Sequence, residues 1–264
     1  MSEHVLYHAE NGVGRITLDR TNSRNALTRA MIERISQFVT EAAADTKVRL
    51  IVLAANGTVF CAGMDLGEMQ ERAASENAPE EWMRDSEVYS DLLKKLLNAP
   101  KPVLAAVQGP VLAGGVGMVL SCDLVIATER TFFALPEPQR GIVAAMVTPL
   151  LAFRAGVGHA SHLLLSGRRM TAEQALTAGL CHGAYTIEEF DNAEQEWIDS
   201  ILTGSPEALA LTKKQLCEVG GASLLAQLDA ATIVSAVARK SDDAREGLQA
   251  FLEKRKPAWQ PHND

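Results

Sequence analysis

Hydrophobic and polar positions along the chain follow two periods. Val5–Ala9 and Val13–Leu18 are short, rich in β-formers and separated by Asn11-Gly12, a pattern that predicts a hairpin. From Asn25 to Ala44, Leu27, Met31, Ile32, Ile35, Phe38 and Val39 recur at a spacing near 3.6. A helix is expected there, with Thr28 or Asn25 as its cap. Val48–Ala54 is almost continuously apolar, as suits a strand buried on both faces. Residues 70–85 are polar and contain a proline, so a mobile connection is expected. Glu87–Asn98 reads as an amphipathic helix stopped by Pro100 and Pro102. Pro102–Gln108 and Leu124–Ala127 are further buried strands, Thr131–Ala134 a short one, and Ile142–Phe153 is apolar enough for a buried helix. From about residue 157 the pattern turns helical, over 158–166, 172–178, 188–203, 206–218 and 221–256.

Repeated strand-then-helix order predicts an α/β fold with a mainly parallel sheet and crossover helices. The last third reads as a cover or an assembly surface. With 264 residues, 47% of them hydrophobic, the chain is long enough to bury a substantial core. Its net charge of −8 argues against nucleic acid or a membrane surface as partner. An anionic ligand would need a local cluster of Arg and Lys. The four cysteines lie far apart, with no CxxC pair and no histidine at a metal-ligand offset. Buried free thiols in a reducing compartment are expected, and no metal. No secretory signal opens the chain, and no apolar run approaches the roughly 20 residues that span a bilayer. A cytoplasmic location is the expectation.

Two stretches carry candidate chemistry. In FCAGMDL, residues 60–66, a chain leaving an apolar run turns through Ala62-Gly63 and displays an acid. Asp65 reads as a cap of the turn or of a following helix. The alternative is that backbone N–H groups exposed by the turn face a ligand. In QGPVLAGGVGMVLSCDLVIA, residues 108–127, Gly114, Gly115 and Gly117 follow a strand and open a helix. Either the backbone approaches a negative oxygen closely there, or the glycines only give room for helix packing. Neither the dinucleotide GxGxxG pattern nor a phosphate-loop pattern is present.

RNALT (24–28), FCAGMDL (60–66), VQGPVLAGGVGMVLSCDLVIAT (107–128), FALPEPQRGIV (133–143), SGRRMTAEQALTAGLCH (166–182) and EGLQAFLEKRKPAW (246–259) together resemble the crotonase, or enoyl-CoA hydratase/isomerase, superfamily, in order and spacing. The resemblance runs from about Val5 to Trp259. It implies a crotonase-like spiral of ββα units (1–195) holding an acyl-CoA site. A C-terminal helical region (196–264) used in trimerisation would follow. The implied assembly is a homotrimer or a dimer of trimers. The substrate would be an acyl-CoA thioester, with coenzyme A arriving as part of it and no separate cofactor.

By the same resemblance, the backbone N–H groups of Met64 and Gly114 converge on the thioester oxygen and stabilise an enolate. Glu137, in the PE motif, is the general acid/base. The family's other glutamate falls at Gly117, which has no carboxylate. One carboxylate suits lifting a proton from one carbon and returning it to another, which is double-bond isomerisation. Hydration of an unsaturated or branched acyl-CoA, other enolate chemistries and a non-catalytic acyl-CoA binder remain alternatives, and Glu68 is a further candidate acid. The implied CoA-binding positions are Arg24, Ala26, Ala62, Asp65, Leu66 and Lys254, the last within the Lys254-Arg255-Lys256 cluster. Arg140 is close enough in sequence to pair with Glu137. His159 and His162 read as non-ligands, and Asp123 as a residue that bonds backbone at a strand start.

Overall fold

The computed structural model describes residues 4–260, the side chains of 220–222 excepted. The hairpin forms as the sequence predicts. β1 (Val5–Glu10) pairs antiparallel with β2 (Val13–Leu18), and Asn11 and Gly12 turn the chain at φ 50° and 85°. Helix α1 (Arg29–Ala44) begins later than Asn25, because Arg24 and Asn25 both occupy the left-handed region at φ 53°. Thr28 caps it, its hydroxyl accepting from the Met31 amide at 3.2 Å. β3 (Leu50–Ala55) follows.

The expected mobile connection at 70–85 is instead helical. It belongs to α2 (Leu66–Ala73) and α3 (Ala78–Asn98). Its polar side chains enter an ion-pair network rather than a solvated loop. Arg29 pairs with Glu81 (2.6 Å) and Asp85 (2.7 Å), and Arg72 with Glu68 (2.8 Å) and Asp85 (2.6 Å). Pro79 sits in the first turn of α3, where a missing N–H leaves no helix bond unmade.

β4 (Val103–Val107), β5 (Val111–Leu112), α4 (Gly114–Leu120), β6 (Leu124–Thr128) and β7 (Phe132–Ala134) come next. A 3-10 turn, Glu137–Arg140, closes at Gly141 with φ 67°. The helix expected from Ile142 starts only at Val147. Residues 142–146 run irregularly along a cavity, and α5 (Val147–Ser166) is interrupted at Gly156 (φ 75°, ψ 162°). β8 (Met170–Thr171), α6 (Ala172–Thr177), β9 (Gly183–Tyr185), α7 (Ile187–Leu202), α8 (Pro206–Ala238) and α9 (Asp242–Leu252) complete the order.

The main sheet has the order β1-β2-β3-β4-β6-β9, parallel from β2 onward; β5-β7-β8 form a second, smaller sheet. Both faces of the main sheet are covered, which explains the near-continuous apolar runs of β3 and β4. Ile51 and Leu53 join a core with Ile35 and Phe38 of α1 and Leu92 and Leu96 of α3. Leu50, Val52, Leu104 and Ile126 face Phe190 and Ile198 of α7. Helix α7 thus packs on the sheet and runs through residue 195, across the boundary expected there. Helix α8 packs along α3, and α9 lies against residues 137–140. A Cβ on Gly247 of α9 would come within 2.1 Å of the Arg140 carbonyl oxygen, so glycine is what lets the two backbones touch.

Candidate active site

The turn after β3 is welded to its neighbours by its own backbone. The Phe60 and Cys61 amides donate to the Pro110 carbonyl (3.1 and 3.3 Å), and Leu112 donates to Cys61 (2.8 Å). Ala62 donates to Arg24 (3.0 Å), Leu27 to Gly63 (2.8 Å) and Asp65 to Leu27 (2.9 Å), while the Gly63 amide meets Cys61 Sγ at 3.4 Å. From Phe60 to Asp65, the amide that donates to no described residue is that of Met64. Gly114, the first residue of α4, has the same property. Both residues line one cavity of about 410 Å³.

The two segments touch. Gly63 has φ 89°, and a Cβ there would lie 2.6 Å from Ala113 Cβ and 3.5 Å from the Gly114 nitrogen. Ala113 itself holds φ 51° and ψ −127°, a conformation that costs a non-glycine residue about 1–3 kcal/mol. That ψ sets the plane of the Ala113–Gly114 peptide, and so the direction of the Gly114 N–H. Ala113, the residue that aims the donor, thus carries backbone strain.

The cavity gathers most residues that the sequence singled out. Arg24, Ala26, Ala62, Met64, Asp65, Leu66, Gly114 and Glu137 all line it. Lys254, just past α9, is not among its lining residues, although Phe251 and Leu252 of the same helix are. Arg255 is committed to Glu246 and Glu253.

Glu137 opens the 3-10 turn after Pro136 and is 6% exposed. Its Oε2 is buried and has no hydrogen-bond partner. Burial pushes its pKa up to about 7, against the opposing pull of its own amide and of the Arg140 charge. Arg140 forms no ion pair with it; the guanidinium instead stacks 3.6 Å from the centre of the Phe251 ring. Ile142, Val143, Met146 and Val147 supply an apolar wall of the same cavity.

The other carboxylate lining the cavity, Asp65, is already engaged. It caps α2 by accepting from the Glu68 amide (3.0 Å) and pairs with Arg20 at 2.6 Å. Those bonds hold its pKa below the ordinary value despite burial. Glu68 points away into the ion-pair network, accepting from the Arg29 amide at 2.9 Å. Asn25 is likewise structural: its buried side chain donates to the carbonyls of Asn56 and Val59 and accepts from the Arg20 amide. The Arg-Asn pair therefore builds the loop that receives the Ala62 amide.

Tyr89 of α3 was not visible as a site residue. It is 2% exposed, lines the cavity, and donates its hydroxyl hydrogen to the Gly114 carbonyl. A Cβ built on Gly117 would lie 2.5 Å from the Tyr89 oxygen. The phenol therefore fills the space that a side chain at 117 would need. Burial, and then the nearby Cys61 and Glu137, push its pKa well above the ordinary value, so it remains a donor. The available signal was weak: Tyr89 is one of three hydroxyls, with Ser86 and Ser90, on the buried face that also carries Leu92, Leu93 and Leu96. Ser235 of α8 and Arg239, the cap at its C-terminal end, also border the cavity.

Several expectations hold. Asp123 accepts from the Val103 amide (2.7 Å) and also pairs with the buried Lys213 (2.7 Å). His159 and His162 are exposed on α5. Cys61, Cys122, Cys181 and Cys217 are free thiols, and burial pushes the first three up to about 12.

The family model for enoyl-CoA hydratase/isomerase matches residues 8–262. The chain is 31% identical to the 1,2-epoxyphenylacetyl-CoA isomerase of Escherichia coli K12, over 98% of this chain and 99% of that protein. It is 32% identical to the 2,3-dehydroadipyl-CoA hydratase of the same organism, over 97% and 98% of the two chains. Among solved structures, an enoyl-CoA hydratase from Mycobacterium avium superposes with a TM-score of 0.86 at 31% identity, covering 98% of this chain and all of that one. The fold is that of the crotonases, and the chain belongs to the enoyl-CoA hydratase/isomerase family of enzymes acting on CoA thioesters.

Proposed function

We propose that this protein moves a carbon–carbon double bond along an enoyl-CoA, with Glu137 as a single proton shuttle. The observation that carries the reading is the inventory of acids in the cavity. Of the two carboxylates that line it among the described residues, Asp65 is held by Arg20 and α2, and Glu137 has an unbonded oxygen. Tyr89 occupies the space over Gly117 from which a second acid would project.

The thioester oxygen would accept from the Met64 and Gly114 amides. Two fixed donors stabilise the enolate more than the ground-state carbonyl; one such donor is typically worth about 3–4 kcal/mol in the transition state. Glu137 carboxylate removes a proton from the carbon at one end of the allylic system. The electron pair enters the thioester, and the neutral acid then returns the proton at the other end. A pKa near 7 suits both halves, since the group is ionised before the first transfer and a competent acid in the second. Ile142, Val143 and Met146 give the intermediate an apolar wall.

Hydration is the second reading, favoured by the hydratase names among the relatives. It needs a water held between Glu137 and a second polar group, and the Tyr89 hydroxyl is the candidate. Chromatographic product analysis separates the two. A 3-enoyl-CoA converted to the 2-enoyl isomer, with no 3-hydroxyacyl product, supports isomerisation; accumulation of the 3-hydroxyacyl ester supports hydration.

Two further points rest on family membership. Arg24, which lines the cavity beside Asn22 and Ser23, is our candidate for meeting a CoA phosphate. A homotrimer, or a dimer of trimers, is the assembly we infer. Exposed apolar residues along α8, among them Leu216, Ile233 and Val237, support a buried role for that helix face.

A further inference from the structure

A second cavity of about 120 Å³ adjoins the first and shares Leu66, Met69, Arg140, Ile142 and Arg239 with it. Its own walls include Trp82 of α3 and Leu248 of α9. Among the described residues, three arginines border it and no carboxylate does. Arg245 is already paired with Asp242 at the surface. Arg140 and Arg239 differ: each has a buried Nη1 without a hydrogen-bond partner. The Arg239 Nη1 stands 3.7 Å from Asp85 Oδ2, beyond hydrogen-bond range, and Asp85 is already bonded by Arg29 and Arg72. Two guanidiniums with unmet donors, set among apolar side chains, are costly unless an anion completes them. Burial accordingly pushes the pKa of both downward, though a guanidinium keeps its charge at neutral pH.

We propose that this side cavity is a subsite for a carboxylate at the far end of the acyl chain, so that the preferred substrates are CoA monothioesters of dicarboxylic acids. The proposal rests on the acyl-CoA reading of the main cavity and adds the class of acyl group. Leu66, Met69 and Ile142 suit the methylenes, and the planar forks of Arg140 and Arg239 suit a carboxylate. The volume fits the end of a short chain and is far too small for a nucleotide. A CoA phosphate is the other anion of the substrate, and the test separates the two.

Titration calorimetry with two saturated esters of equal length, hexanoyl-CoA and adipyl-CoA, reads the subsite without turnover. The wild-type protein should bind adipyl-CoA about tenfold more tightly or better. Arg239→Met and Arg140→Met should each bring that ratio to about one, by weakening adipyl-CoA more than hexanoyl-CoA. Arg239→Lys, which keeps the charge next to Asp85, should retain part of the preference and guards against a folding defect in the methionine variant. Equal wild-type affinities for the two esters would overturn the proposal. So would variants that weaken both esters alike; if that loss vanishes with 3′-dephospho-CoA esters, the arginines serve the nucleotide. Failure of the wild type to bind either ester would instead sink the acyl-CoA reading beneath it.

Discussion

The hydroxyl of Tyr89 stands where a side chain on Gly117 would have to begin, 2.5 Å from the Cβ position. A residue of α3 and a residue of α4, 28 positions apart, thus share one volume. The exchange explains why the site holds a single free acid. Gly117→Glu alone forces the carboxylate against a buried phenol and should destabilise the protein by about 2–3 kcal/mol, read by denaturant unfolding. Gly117→Glu with Tyr89→Ala removes the clash. The double variant should recover much of that loss and gain 3-hydroxyacyl-CoA formation from a 2-enoyl-CoA.

Glu137 gives a pH prediction with a definite sign. On the proposed mechanism activity needs its carboxylate form, so kcat/KM should rise with pH through about 7 and level off above it. Stability moves the other way. The folded pKa lies above the ordinary 4.5, so the native state holds the proton longer than the unfolded chain does. The stabilising contribution is complete below about 4.5, declines between 4.5 and 7, and is gone above 7. The full span is at most about 3 kcal/mol. Comparing wild type with Glu137→Gln at each pH isolates it, because the amide does not titrate. A stability difference that is flat across this range would contradict a buried, unpaired carboxylate.

Asp65 is built into the scaffold through Arg20 and the α2 cap. Asp65→Ala should cost about 1–2 kcal/mol of stability. It should also loosen the turn that presents Met64, so kcat falls more than affinity for a saturated acyl-CoA does. A selective loss of affinity would make Asp65 a direct CoA ligand.

Ala113 gives a stability–activity test. Ala113→Gly relieves a left-handed conformation at an entropic cost of roughly 0.5–1 kcal/mol, so Tm should hold or rise slightly. The Gly114 donor is then less firmly aimed, and kcat should fall several-fold. A lower Tm would show that the strain assigned to Ala113 is absent.

Much of this was legible in the chain because the relevant signals are local. The Asn11-Gly12 hairpin, the both-faces-buried strands β3 and β4, and the turns carrying Met64 and Gly114 each depend on a few adjacent residues. What escaped depends on contacts across the fold. Residues 70–85 look like a solvated loop until Arg29, from a different helix, meets Glu81 and Asp85. The strands β5 and β8 have two residues each, too few for any periodicity, and exist through their sheet partners. Ile142–Met146 is apolar because it walls a cavity, not because it is helical. Tyr89 and Arg239 could be named only once α3 and α8 were seen to flank the same space.

The central claim is that Glu137 alone carries the proton. It is tested most directly by NMR of a 3-enoyl-CoA incubated in D2O with wild type and with Glu137→Gln. The account predicts deuterium at the α and γ carbons and migration of the double bond with wild type, both abolished in the variant, while a saturated acyl-CoA binds the two proteins alike. Exchange that persists in Glu137→Gln would contradict it and place the base elsewhere in the cavity.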